Sequence, residues 1–257
     1  MTPIRPLHVS ASLADPRQKR ELNEHLFGVV APRYDAVTRF LSFDRDRLWK
    51  ARMMDALPAL RAPTCLDLAC GTGDICFLLA GKYPAGSILG LDLTEAMLER
   101  ARARGVDSHI RFQRGDMGRT GLDSGSVDIV TGGYALRNAG DLEEVLAEVY
   151  RLLKPNGTAC FLDFSKPPGQ TLQKLEQLLL TAWGAWWGWL FHRDPTVYTY
   201  IAESLAHFPD RQQLSRRFQS HGFEVQASTL HFFGILQTVT LRKPSAASPN
   251  PARAGLA

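Results

Sequence analysis

The chain has little cysteine: Cys65, Cys70, Cys76 and Cys160 are its four, and no two are spaced as C-x-x-C. That argues against a zinc site or a disulfide framework and for a reducing compartment. It has no excess of one charge either. Thirty Lys and Arg against 26 Asp and Glu leave a net charge of +4. There is no Lys/Arg run and no groove-reading motif, so nucleic acid is not an expected partner. The seven histidines are scattered and suggest no metal. The first twenty residues lack an apolar h-region, so no secretory signal is expected. The apolar stretch Leu178–Phe191, LLLTAWGAWWGWLF, has fourteen residues and is too short to span a bilayer. The expected location is the cytoplasm.

What is present is enough for a sizeable core. The chain is 45% hydrophobic over 257 residues, which fits one large domain or one domain with an appendage. Residues 1–17 read as unstructured and 18–30 as an amphipathic helix, with Leu22, Leu26 and Val29 or Val30 on one face. A helical segment covers Asp46–Leu57. Strands and helices then alternate: strand 64–68, helix 74–82, strand Ser87–Leu91 ending at Asp92, and helix Thr94–Arg104 with Thr94 as N-cap. Strands Ile110–Arg114 and Val127–Gly132 follow, then helix Asp141–Leu153, stopped by Pro155 and Gly157, then strand Thr158–Asp163. This alternation predicts an α/β fold, a doubly wound, mostly parallel sheet with helices on both faces. Residues 169–208 break it with a helical, tryptophan-rich insertion. Strands Phe223–Leu230 and Ile235–Arg242 close the pattern, and the tail 243–257, rich in Ala, Pro and Ser, reads as disordered. The folded domain is thus expected over 18–242.

One segment carries chemistry: Thr64–Asp74, TCLDLACGTGD. An apolar strand with an embedded Asp67 runs into a turn at Gly71 and Gly73 and then a helix. Such a turn lets backbone approach a nucleotide and aims free N–H groups at it. The dinucleotide fingerprint needs a third glycine three residues on, and Cys76 stands there. NAD binding by a divergent Rossmann domain is the competing reading. The form D-x-x-x-G-x-G resembles motif I of the S-adenosylmethionine-dependent methyltransferases. On that resemblance, Asp67 organises the turn, and Ala69–Gly73 with the Thr72 hydroxyl approach the methionyl and ribose portions. Asp92 lies 92 − 73 = 19 residues after Gly73, the spacing of an acid that accepts from ribose hydroxyls. Asp116, after the third strand, faces the adenine amino group, and the Met117 N–H faces a ring nitrogen. Gly132 and Gly133 leave room for the sulfonium. A lone Asp after a strand is more often a turn or cap residue; three acidic strand ends beside a glycine turn are a stronger signal. S-adenosylmethionine is the expected co-substrate, with no metal.

Further segments resemble one branch of these enzymes, the ubiquinone/menaquinone-biosynthesis C-methyltransferases. In YDAVTRFLSFDRDRLW, Tyr34, Asp35, Ser42, Arg47 and Trp49 match the family pattern, while Thr38 replaces an Asn and Asp46 a His. YALRNAG carries the family's Arg137–Asn138 pair. RLLKPNGTACFLDFSKP matches with Asp163 in place of Glu, and YTYIAESLAHFPD resembles the family's Tyr-x-Tyr-(x)3-Ser and Phe-Pro region. The resemblance spans about residues 23–242. It implies methyl transfer to a ring carbon of a demethylated prenyl quinol. Arg137 would stabilise the developing phenolate, Asn138 orient the second oxygen, and Tyr34 cover the methyl donor or bond the acceptor. The structural alternative for Arg137 is a salt bridge to Asp141 or Glu144; for Tyr34 it is a packed lid aromatic. The departures at Thr38, Asp46 and Asp163 keep open another phenolic or secondary-metabolite acceptor. A non-catalytic binding subunit is the alternative of another class. Residues 178–191 read as a buried core helix or as the wall of a prenyl channel that touches a membrane surface. Homo-oligomerisation is left open.

Overall fold

The computed structural model describes residues 15–105, 108–167, 169–192 and 196–245, leaving aside the side chains of 191–199. The expected unstructured N-terminus lies outside the described residues up to position 14. Pro16 and Arg17, counted with it, are helical. Asp15 caps α1 (Pro16–Val30) by accepting the Gln18 N–H at 2.9 Å, and Pro16 at the first position already has a suitable φ. Leu22 and Val30 are buried, Leu26 is half-buried and Val29 is exposed. Two helices follow, α2 (Tyr34–Leu41) and α3 (Asp46–Asp55). The first of these did not stand out in the sequence as a helix.

The sheet has seven strands: β1 (Thr64–Leu68), β2 (Ser87–Asp92), β3 (Ile110–Arg114), β4 (Val127–Gly133), β5 (Leu153–Phe164), β6 (Glu224–His231) and β7 (Leu236–Arg242). Their order is β3-β2-β1-β4-β5-β7-β6. The first five are parallel, and β7 runs antiparallel between β5 and β6. Crossovers are made by α4 (Asp74–Lys82), α5 (Glu95–Ala103) and α6 (Leu142–Leu152). Strand order reverses beside β1, so the C-terminal ends of β1 and β4 open a crevice. Leu66, Leu68, Ile88, Leu91, Ile129 and Val130 are almost wholly buried, as strands covered on both faces require.

Several boundaries differ from the sequence reading, most by one or two residues. Asp141 is the N-cap of α6, accepting from the Glu143 and Glu144 N–H groups. That helix ends at Leu152, and β5 starts at once, through Lys154–Gly157, five residues earlier than expected. Two lysines hold this early stretch: Lys154 bonds Asp128 across to β4, and Lys243 donates to the Tyr150 and Leu153 carbonyls. Lys243 therefore belongs to the ordered domain, whereas tail residues 246–257 lie outside the described residues. Thr94 does precede α5, but its side chain makes no capping bond; its N–H donates to Asp92 instead.

The insertion is α7 (Gln170–His192) packed on α8 (Thr196–His207), and α9 (Arg211–Ser220) leads back to β6. Gly184 and Gly188 of α7 are buried one turn apart, while Leu178, Trp186 and Trp189 are each more than half exposed. Residues 178–191 are therefore not a buried core helix. No helix among the described residues is long and apolar enough to cross a membrane.

Candidate active site

Two chambers lie over the crevice and share a wall. The first is a narrow polar cleft of about 70 Å³, lined by Gly71 after β1, Asp92 at the end of β2, Asp116 and Met117 after β3, and Gly133 of β4. These are five of the predicted cofactor residues, drawn together from four neighbouring strand ends. Gly71 has φ 55° and Gly73 has φ 86°, conformations that favour glycine, and a Cβ on Gly73 would lie 2.9 Å from the Phe112 ring. Asp92 accepts the Gly71 N–H on one oxygen and the Thr94 N–H on the other, both at 2.8 Å. The acid at the end of β2 thus ties the glycine turn to the start of α5 and still has lone pairs for a ligand.

The remaining predicted cofactor residues lie beneath or beside the cleft. Asp67 is wholly buried and accepts from the Thr131 hydroxyl at 2.8 Å and the Cys76 thiol at 3.4 Å. Burial pushes its carboxyl up to about 7. The Thr72 hydroxyl donates to Asp35 at 2.7 Å, which fastens α2 to the glycine turn. Gly73 begins α4 against Phe112. At the other end, Arg20 of α1 pairs with Asp116 at 2.7 Å and also with Glu144. Asp116 spends its second oxygen on the Gly118 N–H. With Arg20 in place the cleft is narrow, far below the roughly 300 Å³ of small ligand sites.

The second chamber is an apolar cavity of about 670 Å³. Helices α1, α2 and α7 wall it with Leu26, Val37, Leu179 and Trp183, and the β6–β7 turn adds Phe232 and Phe233. Arg137 lies in its lining, only 4% exposed. The guanidinium sits 5.0 Å from the centre of the Phe164 ring and donates to Ser204. Its ionic partner is Asp163, at 3.8 Å, whose other oxygen accepts the Arg137 backbone N–H. This corrects the alternative that paired Arg137 with Asp141 or Glu144. Asp141 is a helix cap, and Glu144 is held by Arg20 and Arg119. Burial raises the Asp163 carboxyl while Arg137 opposes the rise.

Tyr34, Asn138, Phe27 and Tyr134 line both chambers. Loss of solvent pushes the Tyr34 phenol up to about 12, so it remains a hydroxyl at neutral pH. Asn138 is fixed on three sides. Its amide donates to the Tyr134 carbonyl, its side-chain oxygen accepts from Tyr200, and its own carbonyl accepts from Asn23. Sequence reasoning missed Asn23, Tyr134, Tyr200 and Ser204. Tyr134 stands inside the quoted YALRNAG segment, and Tyr200 and Ser204 inside YTYIAESLAHFPD, which was the only signal available for them.

A parallel sheet with acidic strand ends around a glycine turn defines the class I S-adenosylmethionine-dependent methyltransferase fold. Solved structures agree at that level. A methyltransferase from Mesorhizobium loti aligns with TM-score 0.57 over 77% of this chain and 99% of its own, at 20% identity. The Haemonchus contortus phosphoethanolamine N-methyltransferase 2, in complex with S-adenosyl-L-methionine, aligns with TM-score 0.59 over 77% of this chain and 53% of its own, at 14% identity. The profile of the ubiE/COQ5 methyltransferase family matches residues 15–242, and the chain belongs to that family. Among its relatives, the ubiquinone/menaquinone biosynthesis C-methyltransferase UbiE of Dinoroseobacter shibae is 34% identical over 80% of this chain and 84% of its own. The demethylmenaquinone methyltransferase of Lactococcus lactis is 33% identical over 78% and 81%.

Proposed function

We propose that the protein transfers the methyl group of S-adenosylmethionine to a ring carbon of a demethylated prenyl quinol. The observation that carries this reading is the shared wall: a polar cleft and a large apolar cavity meet at Tyr34, Tyr134 and Asn138, with Arg137 just inside the apolar side. The names of the quinone-biosynthesis relatives support the same acceptor class.

The cofactor supplies an electrophilic methyl group on a sulfonium. In the cleft, Asp92 would hold ribose hydroxyls, Asp116 and the Met117 N–H would hold the adenine edge, and Gly71 and Gly133 would permit close approach. Arg20 must leave Asp116 for that ligand to enter. In the cavity the chemistry falls to Arg137. A quinol oxygen must lose its proton as the ring carbon attacks, and ionising a phenol of pKa near 10 at pH 7 costs roughly 4 kcal/mol, at about 1.36 per unit. A buried guanidinium beside that oxygen lowers the cost. Arg137 cannot act as an ordinary base, so water takes the proton. Asn138, held by three partners, orients the acceptor, and Tyr34 covers the reacting groups.

The prenyl tail would lie along α7. Each buried CH2 contributes about 0.8 kcal/mol, so a long tail dominates acceptor affinity. The same helix presents Leu178, Trp186 and Trp189 outward, and Phe233 at the β6–β7 turn is fully exposed. These residues form a face for peripheral contact with the cytoplasmic side of a membrane, from which a tailed acceptor enters. The decisive experiment is transfer of label from methyl-labelled S-adenosylmethionine to chemically reduced demethylmenaquinone. Cofactor binding without label in the quinol would overturn the reading.

A further inference from the structure

We propose that Tyr134 and Asp46 form a hydrogen-bonded pair that accepts a proton-bearing oxygen of the acceptor, so that the site selects the reduced quinol over the oxidised quinone. The inference rests on the reading of the acceptor as a quinol. Tyr134 follows β4 with φ 59°, a costly backbone conformation for a bulky residue. Its N–H donates to the Leu162 carbonyl at 2.6 Å, and its carbonyl accepts from Asn138 at 2.8 Å. The backbone is therefore pinned, and the ring sits against Phe164 in the wall shared by the two chambers.

The phenol of Tyr134 donates to Asp46 Oδ1 at 2.6 Å. The other Asp46 oxygen is 2.6 Å from Lys50, which also bonds Asp74 at 2.8 Å. Both Asp46 and Lys50 are buried. A lysine-paired carboxylate is an acceptor only, and a phenol has a single proton. With that proton committed to Asp46, the Tyr134 oxygen can only accept. Arg137, in the same cavity, can only donate. Among the polar groups of the cavity, Arg137 is thus fixed as a donor and the Tyr134 oxygen as an acceptor. A quinol matches both: one oxygen takes the guanidinium as it becomes anionic, and the other still carries a proton for Tyr134. A quinone has two carbonyl oxygens and no proton, so one of them would face the Tyr134 lone pairs unpaired. Asp46 is the residue that fixes the polarity of Tyr134.

The test is equilibrium binding of a singly prenylated demethylnaphthoquinol and its quinone to the protein loaded with S-adenosylhomocysteine, under anaerobic conditions. The wild type is expected to favour the quinol by about tenfold or more, the scale of one hydrogen bond left unmade. Tyr134→Phe removes one oxygen and is expected to bring the ratio close to one. A merely structural Tyr134 would weaken both forms alike. Asp46→Ala frees the tyrosine proton and should shrink the ratio as well; it reads the same quantity should Tyr134→Phe fail to fold. A Tyr134→Phe protein that keeps the wild-type ratio overturns the inference. Wild type that methylates the quinol but binds both forms equally overturns the inference and leaves the function standing. Wild type that binds and methylates neither overturns both.

Discussion

The polar cleft and the apolar cavity are built on different principles. The cleft is made of strand ends in the order β3-β2-β1-β4, and hydrogen bonds of the parallel sheet set the spacing of its groups. The cavity is walled largely by α1, α2 and α7, elements outside the β/α alternation, and much of the outer face of α7 is exposed apolar surface. Any class I sheet supplies the first. The second is built by elements this chain adds to the sheet, and it is where the proposed acceptor would lie. Asn138 and Tyr134 belong to both, and Asn138 carries the link to α1 and α8 through Asn23 and Tyr200.

If the division is right, the largest effect comes from the cavity side. Arg137→Met should lower kcat by about 10²–10³, the loss of one preorganised donor at a developing anion, while cofactor affinity stays as in wild type. It also strands Asp163, a partner loss that typically costs about 3–5 kcal/mol when fully buried, so Arg137→Lys is the control that keeps a cation. Unchanged turnover with lowered thermal stability would make Arg137 structural. On the cleft side, Asp92→Ala should weaken S-adenosylmethionine binding by about 10–100-fold, from hydrogen bonds to a charged group worth about 1.5–3 kcal/mol. Calorimetric titration checks this, and the acceptor's own affinity should not move.

The cleft was the more legible region in the sequence. A Gly turn, an acid nineteen residues later and another at the next strand end are local patterns in a repeating β/α unit, and Gly71, Asp92 and Asp116 do meet in one place. Thr72 and Gly73 carry the same motif but are spent on fastening Asp35 and starting α4. The cavity depends on contacts between positions far apart in the chain, such as Asn23 with Tyr200 and Tyr134 with Asp46, which no local period encodes. Nor could the sequence tell which face of the tryptophan-rich helix is covered, because it is apolar on every side.

Asp67 tests whether the cleft ends at the glycine turn or reaches below it. Its carboxyl titrates near 7 in the folded chain against 3.8 when unfolded. Between those values the folded state keeps a proton that the unfolded state has released. Its contribution to stability is therefore full below pH 3.8, falls as pH rises to about 7 and is constant above. Asp67→Asn keeps an acceptor for Thr131 and removes this loss. The variant should gain on the wild type across that window, by about 4 kcal/mol at most at pH 8, from about three units at 1.36 each. Denaturant unfolding at pH 5 and pH 8 measures the difference. Cofactor affinity should change by less than about twofold, the scatter of changes away from a ligand; a larger loss would bring Asp67 into the cleft.

The smallest effect is expected where the cavity meets solvent. Trp186 and Trp189 are each 59% exposed, with ring centres 6.2 Å apart. Exposed tryptophans of this kind cost little to remove from the folded protein, within about 0.5 kcal/mol. At a bilayer interface the same rings lose apolar surface to lipid, as interfacial aromatic belts do. The double variant Trp186→Ala, Trp189→Ala should thus leave thermal unfolding nearly unchanged and reduce flotation with phospholipid vesicles by about three- to tenfold, the scale of a kcal/mol or so of lost burial. Turnover of a short-tailed quinol in detergent should be unaffected, because neither ring lines the cavity. Turnover of a long-tailed quinol presented in vesicles should fall in step with flotation. If flotation is unchanged, the exposed face of α7 is not a membrane surface, and the acceptor side reduces to the cavity alone.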